Sequence, residues 1–87
     1  MKQKELYQNL LETSEKLGII VLEKNFRNAG VRVESGMCKI KGKTHIIIDK
    51  HKRTKEKNQI LGRCISTQEI DDIYLIPVVR DYLASFG

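Results

Sequence analysis

Leucines recur at positions 6, 10, 11 and 17, with Lys4, Glu5, Glu12, Glu15 and Lys16 filling the intervals. That spacing gathers the leucines near one stripe and predicts a helix from about Lys2 to Leu17. Gly18 follows at once, where a left-handed cap favours glycine. Ile19 to Leu22 is an apolar run too short for a helix and suits a mostly buried strand. Asn28-Ala29-Gly30 carries a turn signal, and Val31-Arg32-Val33-Glu34 then alternates as a half-exposed strand does. Ser35-Gly36 breaks the alternation as a turn or a bulge.

Met37 to Asp49 reads as a hairpin around Gly42. Burying Cys38 and Ile40 together with Ile46 and Ile48 requires even-numbered positions to face even-numbered ones. That parity demands an odd loop, most simply three residues with Gly42 in the left-handed position. The opposite face then carries Lys39, Lys41, Lys43, His45, Ile47 and Asp49. Thr54 is placed to cap a second helix from about Lys55 to Ser66, with Ile60, Leu61, Cys64 and Ile65 as its apolar stripe. Gly62 weakens that helix. Ile70 to Ile76 is an extended connection holding Asp71-Asp72. Pro77 suits the first position of a third helix, and Val79, Tyr82, Leu83 and Phe86 follow on one face.

The resulting order is α-β-β-β-α-α. Short connections favour pairing between sequence neighbours, so the expectation is a two-layer α+β domain. Its three-stranded sheet would be antiparallel, with helices on one face. Eighty-seven residues make one domain, residues 1–87, and a 31% charged, 40% hydrophobic composition suits a globular one. The apolar runs fall far short of the roughly 20 residues that span a bilayer. The charged start of the chain lacks the apolar core of a secretory signal. These features lead us to expect a cytoplasmic protein, no membrane partner, and Cys38 and Cys64 as reduced thiols.

The net charge is +5. Residues 37–58 hold eight basic groups against two acidic ones, more than the whole excess. A nucleic-acid reading would use this block through Lys39, Lys41, Lys43, Lys52, Arg53 and Lys55, whose charges can neutralise phosphates. Against it, Tyr7, Phe26, Tyr74, Tyr82 and Phe86 all lie outside the block, which leaves no stacking platform.

A metal reading would take Cys38, His45, His51 and Cys64. Structural zinc ligands come in closely spaced pairs, whereas here six, five and twelve residues intervene, and the parity above separates Cys38 from His45. No nucleophile elbow, phosphate-cradling glycine loop or dinucleotide fingerprint is present. The expectation is therefore a protein that is not an enzyme and needs no cofactor. Ile47, the run from Ile73 to Val79, Tyr82 and Phe86 offer apolar groups to a protein partner. The leading expectation is a small protein-interaction module, binding another protein or itself as a homodimer, with nucleic-acid binding as the alternative.

Leu17-Gly18-Ile19, the glycine-bounded hairpin from Gly36 to Asp49 and the closing segment from Pro77 to Leu83 resemble small bacterial protein families without an assigned activity. The helix–strands–helix order is also similar to the front half of zincin-like metallopeptidases that cleave phage repressors. Those enzymes require His-Glu-x-x-His on the helix after the hairpin. Here that helix reads KEKNQILGRCI, so the resemblance implies a bacterial scaffold without the peptidase chemistry.

Overall fold

The computed structural model describes residues 1–26 and 35–86. The turn expected at Asn28-Ala29-Gly30 and the strand expected at Val31 to Glu34 lie outside the described residues. Helix α1 spans Gln3–Lys16. It closes on Gly18 at φ +74°. The Gly18 N–H donates to the Glu15 carbonyl at 3.0 Å and the Ile19 N–H to the Ser14 carbonyl at 2.9 Å. This paired closure needs a positive φ, which glycine adopts without a Cβ clash. It also delivers Ile19, 6% exposed, straight into the core.

Three strands follow: β1 at Ile20–Lys24, β2 at Gly36–Ile40 and β3 at Lys43–Asp49. The sheet order is β1-β3-β2, with β2 antiparallel and β1 parallel to the central β3. The expected purely antiparallel sheet is therefore corrected to a mixed one. The reason lies in β3 itself. Ile46-Ile47-Ile48 is the longest aliphatic run in the hairpin, and an inner strand flanked on both edges is where such a run is best sheltered. The chain crosses from β1 to the far edge, and the hairpin then folds β3 back between the two.

The loop length is corrected as well. Lys41 and Gly42 alone connect β2 to β3, at φ +51° and +80°. Two successive positive φ values define a type I′ turn, whose twist matches that of the flanking strands. An even loop pairs even with odd positions: Met37 faces Ile46, Cys38 faces His45, and Ile40 faces Lys43.

Helix α2 spans Thr54–Ser66, with Arg53 rather than Thr54 at the cap position and no side-chain cap bond. Helix α3 spans Pro77–Ala84 and starts on its proline as expected. The helices share one side of the sheet: α1 lies over β1, α2 over β3 and β2, and α3 against α1 and α2. Between the layers sit Leu10, Ile46, Ile48, Leu61, Ile65 and Leu83, each at most 2% exposed. Gly62, which weakens α2 as a helix, has a packing role. A Cβ there would meet the Phe86 and Tyr82 rings at 2.6 and 2.8 Å. Those rings stack edge to face, with centroids 5.2 Å apart.

Candidate functional site

The two-residue turn decides what each side of the sheet presents, because side chains alternate along a strand. The side covered by helices takes Ile19, Val21 and Glu23 from the β1 segment, and Thr44, Ile46 and Ile48 from β3. Met37 also belongs to it, and Gln68, just beyond α2, reaches its sulfur with Nε2 at 3.6 Å. The open side takes Ile20, Leu22 and Lys24 from β1. It takes Cys38 and Ile40 from β2, and Lys43, His45, Ile47 and Asp49 from β3.

Cys38 and Ile40 were expected in the core, yet Cys38 is exposed and Ile40 is 42% exposed. Cys38 and His45, expected on opposite faces, are direct cross-strand partners. They form a pair and not a cluster: among the described residues, no three His, Cys, Asp or Glu side chains gather as metal ligands would. The His45 ring has its own contact, with Nδ1 3.0 Å from the Lys43 carbonyl oxygen.

Aliphatic groups occupy the middle of this open side. Ile20 is 37% exposed on β1, beside half-buried Leu22, and Ile47 lies half-buried on β3. Leu22 pairs laterally with Ile47, and Ile20 with His45. Among the described residues that pack against the core, neither Leu22 nor Ile47 figures. The charges are at the ends: Lys43 where β3 begins, Asp49 where it finishes, and Lys24 beside Asp49. Among the described residues, the ion pairs are Lys52–Glu56 and Lys57–Glu23, so neither Lys43 nor Asp49 has an ionic partner among them. Asp49 Oδ1 accepts a hydrogen bond from the His51 N–H at 3.0 Å and caps the turn after β3.

The six basic residues named for a phosphate surface are not brought together on one face. Lys39 points to the helix side of the sheet with Thr44, and Lys41 stands in the turn. Lys43 is on the open side. Lys52 engages Glu56 at 3.7 Å, while Arg53 and Lys55 are exposed at the start of α2. Of the four apolar interaction candidates, Ile47 stands on the open side. Val79 is 1% exposed and belongs to the core, while Tyr82 and Phe86 are half-buried over Gly62. Burial raises the Tyr82 phenol above its ordinary range and the Cys64 thiol likewise.

Sequence reasoning missed Ile20, Leu22, Ile40 and Cys38 as surface groups. For Cys38 and Ile40 the signal is the positive-φ demand of a Lys-Gly turn, which sets the register of β2 on β3; Ile20 and Leu22 had no such local signal.

A recess of about 320 Å³ lies between the start of β2 and α2, lined in part by Gly36, Lys52, Glu56, Ile60, Arg63 and Cys64. Its one lining carboxylate, Glu56, is already paired with Lys52. Among the described residues, no helix is long and apolar enough to cross a membrane. Compared with family models, curated proteins and solved structures, the chain matches none of them.

Proposed function

We propose that this is a non-catalytic protein-interaction module whose contact surface is the open side of its sheet. One observation carries the reading: α1 and α2 cover one side of the sheet, while among the described residues no helix or strand lies over Ile20, Leu22, Ile40 and Ile47 on the other. A small domain can leave single aliphatic groups exposed at little cost, but Ile20, Leu22 and Ile47, neighbours across β1 and β3, form a group that marks a surface for a partner. Self-association is the simplest use of it. The nucleic-acid reading has less support, since its six cations diverge over both sheet sides, the turn and α2.

The test compares the wild-type chain with Ile47→Lys. Sedimentation of the wild type should shift toward a larger species as concentration rises. Ile47→Lys should abolish that shift while moving the thermal midpoint by less than about 4 °C, because the group lies outside the core. A wild-type chain that stays monomeric at the highest soluble concentration counts against the reading. So does tight, salt-sensitive binding to mixed oligonucleotides at about 50 mM salt.

A further inference from the structure

We infer that the partner of the open side is a second copy of this chain, stacked face to face with its strands antiparallel to those of the first. The inference rests on the interaction reading above and adds the identity and orientation of the partner.

The outward stripe of β3 reads Lys43, His45, Ile47, Asp49, cationic at one end and anionic at the other. A twofold dimer must oppose a patch to itself, so residue i meets j and j meets i. Two twofold stacks place β3 over β3. With the axis along the strands, Lys43 meets Lys43 and Asp49 meets Asp49, and both contacts are repulsive. With the axis across the strands and centred at Ile46, Lys43 meets the partner's Asp49 twice, and His45 meets the partner's Ile47. On β1 the same operation lays Ile20 over the partner's Leu22. On β2 it lays Cys38 over the partner's Gly36, small groups that let the sheets approach.

Reach supports this stack. Packed sheets lie about 10 Å apart, a gap that a lysine and an aspartate side chain can close between them. Lys43 and Asp49 are each three residues from the centre, roughly 10 Å along the strand. The crossing of about 30° in stacked sheets displaces such ends by only about 5 Å, within the flexibility of lysine. Neither charge has an ionic partner within the described chain, so the stack breaks no existing pair.

Size sets the strength. Ten positions across the three strands face outward. A standard stable interface uses about 20–30 residues a side, so this dimer belongs to the small, weak class of interfaces.

The experiment is sedimentation equilibrium on Lys43→Glu, on Asp49→Lys, and on their equimolar mixture. Each variant alone opposes like charges at both reciprocal contacts and should associate about tenfold more weakly than the wild type. In the mixture both contacts become opposite-charge pairs, so association should return to within about threefold of the wild type. Should Asp49→Lys fail to fold, Asp49→Asn keeps the oxygen that accepts from His51 and should weaken association at least about threefold. A wild type that dimerises while the single variants match it, or while the mixture stays as weak as they are, overturns the antiparallel stack and leaves the interaction reading standing. The same holds for Asp49→Asn matching the wild type. A wild type that never dimerises removes both.

Discussion

Ile46 and Ile47 are neighbours in sequence and near-equals in chemistry, yet the sheet sends them to opposite sides. Ile46 is fully buried in the core beneath α2, while Ile47 is half-exposed on the side that no described helix covers. The difference shows how little of a residue's role lies in its own identity. Hydrophobicity says that both prefer shelter; register alone says which one receives it from this chain. The sharpest way to break the comparison is to truncate both. Ile46→Ala removes packed methyl groups that the core cannot refill and should cost about 2–5 kcal/mol. In a domain this size, that corresponds to a fall of at least roughly 10 °C in thermal midpoint. Ile47→Ala should cost under about 1 kcal/mol at low protein concentration. Equal losses in urea titrations would mean that the open side is also part of the core.

Charge separates the two sides as well. On the covered side, Glu23 at the β1 edge joins both main helices to the sheet: the Tyr7 hydroxyl donates to its Oε2 at 2.7 Å, and Lys57 Nζ to its Oε1 at 2.5 Å. Lys57 also lies 5.8 Å from the centre of the Tyr7 ring. The hydrogen bonds from Lys57 and Tyr7 hold the Glu23 carboxyl below its ordinary range, outweighing partial desolvation. Burial and then the Glu23 contact push the Tyr7 phenol above its own range. Because the folded-state carboxyl is lowered, its contribution is present above the ordinary carboxylate range and is lost as pH falls through the lowered value. The raised Tyr7 contribution runs the other way, present below about pH 10 and lost as pH rises beyond it. The Glu23 side chain is 36% exposed, so solvent screening keeps Glu23→Gln to no more than about 1 kcal/mol at neutral pH. The gap between wild type and variant in urea midpoints should be level from about pH 6 to 8 and close below about pH 4. A gap that widens in acid would mean that the network does not join the layers in this way.

Much of this architecture was legible from local patterns, and the failures share one cause. The glycine closure of α1, the proline start of α3 and the stripes holding Leu10, Leu61, Ile65 and Leu83 depend only on residues a few positions apart. The strand order and the faces of Cys38, Ile40 and Lys39 depend on pairing across the sheet. Burying Cys38 and Ile40 was a sound preference taken alone, and it argued for a three-residue loop. The turn chemistry opposed it, since a two-residue connection ending in glycine fits the strand twist better. Once the turn prevails, every β2 side chain changes sides, the basic stripe of Lys39, Lys41 and Lys43 dissolves, and Cys38 and Ile40 join Ile47 on the open side. The parallel pairing of β1 with β3 left no local mark, because an Ile-Val-Leu run suits either neighbour.

The smallest expected effect tests that turn directly. Lys41 holds φ +51°, a left-handed conformation that costs a residue with a Cβ about 1–2 kcal/mol. Its side chain is exposed, so it contributes little to packing in return. Asparagine tolerates this region through its short polar side chain, and Asn-Gly is the favoured pair in type I′ turns. Lys41→Asn should therefore stabilise the chain by about 0.5 kcal/mol, a rise of roughly 2–4 °C in thermal midpoint. In a three-residue loop with Gly42 alone in the left-handed position, residue 41 would have an ordinary negative φ and asparagine would gain nothing. An unchanged or lower midpoint for Lys41→Asn would thus return Cys38 and Ile40 to the covered side. A rise keeps them, with Ile20, Leu22 and Ile47, on the side left open for a partner.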